Sequence, residues 1–328
     1  MKTKPLISIL TSSWNREKYL KKLTESLKKQ SYKNFEWIVG NDGSDDGTDK
    51  FIRDFSKKSK FKITYINSSM RVGKAKLTNI MLKKISGKYT IECDSDDYLD
   101  SKALENLLYL TEDKRIKNNK NFGAIVGQNI STNKISQTFK TNKIPKNIEL
   151  LNWNNLHKKI DGDATFLVLS KNYKNKQYLE VDFLITESSL LNKVFKNKIF
   201  LLTPKIIKIM NRNAKNSVTF SKKMRYTRGS AYCVAINETK KNFNSKKLTL
   251  KIKTILHFWR YTLHGDLSFM KALNMVKPLK NNYLYSLLYP ISYIIYLIDL
   301  IFDKVEKTHI EFEKNIKIAK IKTEIFNK

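Results

Sequence analysis

The chain reads as an α/β protein: a mainly parallel central sheet with helices on both faces, followed by a mainly helical C-terminal region. Two observations predict this. Over the first hundred residues short apolar runs alternate with amphipathic stretches and are joined by brief connections, the pattern of a parallel sheet covered on both sides. Beyond about residue 222 the apolar runs give way to long basic amphipathic segments.

The elements follow in order. Leu6-Ile7-Ser8-Ile9-Leu10 is a first strand, and Thr11-Ser12-Ser13-Trp14-Asn15 is the loop that ends it. Leu20, Leu23 and Leu27 recur at helical spacing and predict a first helix. Phe35-Glu36-Trp37-Ile38-Val39 is a second strand running into Asn41-Asp42-Gly43-Ser44-Asp45-Asp46-Gly47-Thr48. Ser44 or Asp45 can cap the next helix, which turns Phe51, Ile52 and Phe55 inward. Ile63-Thr64-Tyr65-Ile66 is a third strand, 74–85 a third helix and 89–93 a fourth strand.

Directly after that fourth strand stands Asp94-Ser95-Asp96-Asp97, three carboxylates in four residues. Like charges so close resist joint ionisation unless a cation offsets them. Hard oxygen ligands suit Mg²⁺ or Mn²⁺, above all where substrate phosphates complete the shell. A solvated turn or helix cap is the plainer alternative. The loop's position argues for chemistry, because ligands of such sheets bind beyond the carboxyl ends of the strands. The Thr-Ser-Ser-Trp-Asn, Asn-Asp-Gly-Ser and Asp-Ser-Asp loops all fall at such ends.

Four pieces taken together resemble the family 2 glycosyltransferases of the GT-A fold. They are 9–16, 39–48, Gly73 with Asn79, and Gly87-Lys88-Tyr89 leading into the acidic cluster. The likeness is strong over 5–100 and continues more weakly to about residue 220. It implies a Rossmann-like catalytic domain over 1–222 and a basic, mainly helical region over 223–328. Asp42 would accept hydrogen bonds from the nucleotide base, or else simply serve the turn before Gly43. Thr11, Ser12 and Asn15 would lie about the base and ribose, with Thr11 and Ser12 simply finishing the strand as the alternative. Gly73 would let the backbone approach the donor, or else is turn punctuation, with Lys74 near the diphosphate. Asp94 and Ser95 would face the ribose, and Asp94 with Asp96 would hold the Mn²⁺ or Mg²⁺ ion. Asp97 has no assigned place; capping the helix near Ser101 is one. The chain departs from the family in Ser12-Ser13-Trp14-Asn15, where Pro-Thr-Tyr-Asn is more usual, and in Thr78, where arginine is common.

Inverting transfer also needs a carboxylate to deprotonate the attacking hydroxyl. The resemblance points to Glu187, in Phe183-Leu184-Ile185-Thr186-Glu187-Ser188, at an expected helix start. A helix N-terminal glutamate favoured by the macrodipole is the alternative. Glu180 and Asp182 are the substitutes. Asp163, in Asp161-Gly162-Asp163-Ala164, resembles a sugar-pocket loop or is a hairpin turn.

Composition sets the remaining bounds. A chain of 328 residues with 41% hydrophobic content can bury a full core. Two cysteines and four scattered histidines offer neither a disulfide framework nor a zinc-type site. No cleavable signal precedes the first strand, so a cytoplasmic location is expected. The net charge of +33 would suit nucleic acid, but the basic residues are spread and no nucleic-acid module is visible. Attraction to the anionic inner leaflet of the cytoplasmic membrane is the reading preferred. Residues 283–302 are apolar and tyrosine-rich but interrupted by Pro290 and Asp299. They predict an interfacial helix or hairpin, with packing on the protein or on a homodimer partner, or a bilayer span, as alternatives. Basic flanks lie at 277–280 and 304–307, a second basic amphipathic stretch at 246–260, and a helix is expected over 304–328.

The function this implies is transfer of a sugar from a nucleoside-diphosphate sugar, of the UDP type, to a saccharide or lipid-linked acceptor in envelope polysaccharide synthesis. The rivals are the same fold acting on a protein or soluble glycan, and a basic nucleic-acid-binding or scaffold protein with an inactive transferase fold.

Overall fold

A computed structural model describes residues 6–140, 143–178, 180, 185, 187–211, 227–237, 247–276, 283–302, 304 and 319–327. The expected basic flank at 277–280, residues 305–307 and Asp182 lie outside the described residues. Contacts divide the chain into two compact units. The first comprises Met1–Gln177, Lys193–Lys215 and Asn315–Lys328; the second comprises Tyr178–Asn192 and Asn216–Lys314.

The first unit is built on one ten-stranded sheet. Strands β1 (Ile7–Ser13), β2 (Phe35–Asp42), β3 (Lys62–Ser68) and β4 (Tyr89–Glu92) lie in the order 3-2-1-4 and run parallel. Each is buried over nearly its whole length, which is why each reads as an almost unbroken apolar run. Alternate side chains serve opposite faces. Ile7, Ile9, Trp37, Val39, Ile63 and Tyr65 pack with Leu20, Leu23 and Leu27 of helix α1 (Glu17–Lys29) and Ile52 of α2 (Thr48–Lys58). Leu10, Ile38 and Ile66 pack on the other face with Leu77 and Met81 of α3 (Lys74–Leu82). Helices thus cover both faces.

Past β4 the sheet becomes mixed. Strand β5 (Tyr98–Leu99) and α4 (Ala103–Leu110) precede β6 (Phe122–Ser131), β7 (Glu149–Asn152), α5 (Trp153–Lys159) and β8 (Thr165–Leu169). Helix α6 (Ser188–Val194) and strand β9 (Ile199–Met210) follow. β8 lies antiparallel between β4 and β6, β9 runs parallel to β6, and β5 pairs antiparallel with β9. That last pairing sets Leu99 opposite Lys208.

The sheet's outer edge corrects one expectation. Within 304–328, predicted as helix, Ile321–Phe326 forms strand β10, antiparallel to β3. Arg53 on α2 clamps it with both guanidinium-to-carboxylate contacts to Glu324 at 2.6 Å. Alternating Ile321, Thr323 and Ile325 give the period of two that the charge-rich composition hides.

The second unit is helical: α7 (Thr227–Asn237), α8 (Leu248–His264), α9 (Phe269–Val276), α10 (Tyr283–Leu287) and α11 (Tyr289–Ile301). Ala231, Ile255, Phe258, Trp259, Ala272, Val276 and Tyr285 form its core. Pro290 sits in the first turn of α11, where its missing N–H costs nothing. Asp299 is 2% exposed and is gripped by the Arg260 guanidinium, with His264 Nε2 at 3.1 Å. The aspartate therefore anchors α11 to α8. No helix among the described residues is long and apolar enough to cross a membrane. At 13 residues α11 reaches only about 20 Å, so the bilayer-span alternative falls.

Candidate active site

The parallel register of β1–β4 brings four loop starts to one edge of the sheet: 13–16, 42–47, 69–73 and 93–97. The 161–164 loop reaches the same edge, because β8 runs against β4 with Leu167 opposite Ile91. The end of β9 arrives there too, since Met210 pairs with Ser131 at the end of β6. Thr11, Ser12, Asn15, Asp42, Gly73, Lys74, Asp94, Ser95, Asp96 and Asp163 are thereby gathered at one edge of the first unit. Glu187, in the second unit, is exposed at the head of α6, its carbonyl accepting from the Leu190 and Leu191 amides at 3.0 and 3.1 Å. The expected helix start is therefore observed.

The first two loops are tied to each other. Asn15, at φ +52°, donates from its side chain to Asp45 at 2.6 Å, and the Asp45 amide returns a bond to Asn15 Oδ1 at 3.0 Å. Ser44 accepts from the Asn15 amide at 2.9 Å. These contacts occupy the residues expected to cap α2. The Thr48 amide turns to Asp46 instead, at 3.0 Å. Thr11 is buried, and its hydroxyl accepts from the Trp37 indole at 3.0 Å. Ser12 is half-buried.

Asp42 is also engaged. Its Oδ1 accepts from the Val72 amide at 2.6 Å, and the Gly73 amide lies 3.0 Å from Oδ2. Gly43 allows this approach: at φ +65° it faces the backbone of Met70 and Arg71 where no Cβ would fit. Gly73, at φ +88°, then turns the chain into α3. Burial pushes the Asp42 carboxyl above its ordinary value, against the pull of the Val72 amide, Arg71 and the Gly73 amide. The Arg71 guanidinium stands 4.0 Å from Asp42 and 3.6 Å above the Trp14 ring. Arg71 stood in no sequence motif, and its contact with Trp14 explains why a bulky aromatic stands in the first loop.

At the acidic loop the main surprise is Lys208. Its side chain is 7% exposed, with the ammonium 3.0 Å from Asp97 and 3.5 Å from Asp94. Lys74 reaches Asp94 at 2.8 Å, and Arg16 faces Asp96 at 3.8 Å. Asp97 accepts from the Asn211 amide at 3.1 Å, so it joins β9 and does not cap the helix near Ser101. Lys74 holds the Asp94 carboxyl far below the ordinary carboxylate range, with help from Lys208 against burial. Burial and the neighbouring Asp94 push Asp96 upward. Burial likewise raises Asp97, with Lys208 only partly offsetting it. Burial works against the charge on Lys208, but Asp97 and Asp94 more than compensate and keep it protonated. Sequence offered one signal for it: a lone cation inside the apolar run Ile206-Ile207-Lys208-Ile209-Met210.

A resident Mn²⁺ or Mg²⁺ needs carboxylates whose charge is not already met. Here three carboxylates face three protein cations, and among the described residues no three acidic, histidine or cysteine groups converge as a ligand set. The expected Asp94–Asp96 pair, in this arrangement, does not fit an ion. A cleft of about 600 Å³ lies toward the opposite edge, lined by Gly87, Tyr89, Glu112 and Lys117 among others. It lacks the convergent loops.

The model for glycosyl transferase family 2 matches residues 8–175. An uncharacterized glycosyltransferase of Haemophilus influenzae is 34% identical over 117 residues, 35% of this chain and 36% of that protein. The GalNAc(5)-diNAcBac-PP-undecaprenol beta-1,3-glucosyltransferase of Campylobacter jejuni is 25% identical over 200 residues, 60% of this chain and 62% of its own length. Across the first curated relatives the match spans between 14% and 62% of their length. Among solved structures, residues 1–349 of S. aureus TarS in complex with UDP-GlcNAc align with a TM-score of 0.58 at 14% identity, covering 96% of this chain and 92% of that one. That likeness shows the fold, which is GT-A. Because the family match runs from β1 past β8 and takes in the loops just described, the chain belongs to glycosyl transferase family 2.

Proposed function

We propose that this protein is an inverting glycosyltransferase that moves a sugar from a nucleoside-diphosphate sugar, of the UDP type, to a hydroxyl of a saccharide or lipid-linked acceptor in envelope polysaccharide synthesis. The observation that carries the reading is the gathering of polar loops and cations at the carboxyl edge of a family 2 sheet. Thr11, Ser12, Asn15 and Asp42 line the base and ribose side. Asp94, Ser95 and Asp163 serve the ribose and sugar. Lys74 and Arg16 supply positive charge for the diphosphate. Glu187 is the general base: it takes the acceptor hydroxyl's proton as the new bond forms at the anomeric carbon. The bond from that carbon to the diphosphate breaks, and the diphosphate leaves with the electron pair. The undecaprenol-linked substrate in the Campylobacter protein's name supports the acceptor class.

The second unit supports work at a membrane surface. Ile291, Ile294, Leu297, Ile298 and Ile301 on α11 are between 42% and 78% exposed, and most recur three or four residues apart on one side. A helix with that stripe in a chain of charge +33 suits peripheral contact with an anionic leaflet.

Nucleotide sugars should raise the melting temperature by mass action, and Glu187→Gln should keep that shift while losing transfer. A Glu187→Gln protein that transfers normally would remove the base assignment. Ile294→Glu with Ile298→Glu, on exposed positions, should abolish sedimentation with phosphatidylglycerol vesicles; unchanged sedimentation would discard the membrane face.

A further inference from the structure

We infer that Lys208 is a built-in counterion for the acidic loop, so that donor binding and transfer proceed without a divalent metal. The inference rests on the proposed transferase function and adds to it how the site's charge is balanced.

Three observations carry it. Lys208 is held by the sheet and not by chance surface contact: pairing of β5 with β9 sets it opposite Leu99, two residues beyond Asp97. The Asp100 amide bonds to the Ile207 carbonyl at 2.9 Å and locks that register. Second, its ammonium spans two carboxylates of the loop, at 3.0 and 3.5 Å, with 7% of the side chain exposed. A buried ammonium has no low-energy alternative to such partners. Third, one of those two carboxylates, Asp94, is one a divalent ion would need, and the other expected ligand, Asp96, faces Arg16 at 3.8 Å. Asp94, the more open member at 44% side-chain exposure, is met from its other oxygen by Lys74.

The physical consequence is that part of the loop's negative charge is met from inside the sheet. A divalent ion serves such a loop by cancelling the mutual repulsion of its carboxylates and by presenting positive charge to a diphosphate. Lys208 performs the first task for Asp94 and Asp97 from inside the sheet. Lys74 and Arg16, both partly exposed, are placed for the second. Lys208 is therefore a positioning residue: it acts through Asp94 and Asp97 and need not touch the donor.

The test uses the full chain in EDTA and in Mn²⁺. The wild-type protein should bind UDP-sugar and transfer to within about 2-fold equally in both, and should show no tight Mn²⁺ by electron paramagnetic resonance. Lys208→Met leaves Asp97 without its cation and Asp94 with Lys74 alone. It should lose about 100-fold in EDTA, regain much of that with Mn²⁺, and bind one Mn²⁺ that the wild type does not. Lys208→Arg should stay resistant to EDTA and confirms folding if the methionine variant is unstable. A wild-type protein that binds Mn²⁺ stoichiometrically and binds donor only with it overturns the inference while leaving the transferase reading intact. Failure to bind any nucleotide sugar with or without Mn²⁺ overturns the transferase reading instead.

Discussion

Two carboxylate–lysine clusters sit at opposite edges of the same sheet, and they differ in how closely each acid is matched more than in ingredients. At the strand starts, Glu36 is fully buried and stands alone as the acid. Ser8 donates to it at 2.5 Å, and the Ser86 amide and hydroxyl donate at 2.8 and 2.7 Å. Lys62 lies 2.7 Å from its other oxygen, close enough for an ion pair though off the line of a hydrogen bond. Burial works to raise its pKa, yet Lys62, Ser8 and Ser86 outweigh that and hold it below the ordinary range. At the strand ends three acids share their cations, and Asp96 and Asp97 are raised. A fully matched acid stabilises a fold. Crowded acids are retained for what they will bind.

The comparison can be broken most forcefully at Glu36. Glu36→Ala strands Lys62 and the Ser8 and Ser86 donors, and should lower unfolding free energy by about 3 kcal/mol. Donor affinity of the folded fraction should not change. Urea melts with nucleotide titration measure both, and a large affinity loss would show that the edges are not separate in role.

Asp96→Asn should act the opposite way. Removing one charge from a crowded site should shift stability by less than about 1 kcal/mol, while donor binding weakens several-fold. A stability loss as large as that of Glu36→Ala would erase the distinction.

Acid titration gives the finest contrast. Asp42, Asp96 and Asp97 are raised, so the folded state takes up their protons before the unfolded chain does. Their contribution therefore increases as pH falls from 7 through their folded pKa values, above the unfolded value of about 3.9. Glu36 and Asp94 are lowered, so their stabilisation is present above the unfolded values of about 4.3 and 3.9 and is lost as pH falls through the folded ones. Stability should hold or rise slightly on the first leg and drop on the second. Asp96→Asn should flatten the first leg only, as read from urea midpoints across pH.

The parallel strands were legible because burial on both faces forces continuous apolar runs, and Leu20, Leu23 and Leu27 of α1 are each fully buried as their spacing predicts. The loops at the strand ends could be placed for the same reason. Side-chain pairing across long separations could not. Nothing local assigns Asp97 to Lys208, more than a hundred residues on, in a chain with 63 lysines and arginines. Isolated charges inside apolar runs were the usable clue. Glu36 in β2, Lys208 in β9 and Asp299 in α11 are each such a charge, and each is buried beside an opposite charge. Strand β10 is hidden in the sequence because an edge strand buries little, and its Lys322 and Glu324 mask the alternation.

That edge strand has a consequence for how the protein is made. Residues 321–326 leave the ribosome after every helix of the second unit, yet they finish a sheet begun at residue 7. Until then β3 presents unpaired amides and carbonyls to the crowded cell, an invitation to pair with another nascent chain. Shortened versions lacking the last ten residues should therefore precipitate during expression even though no catalytic group has been removed.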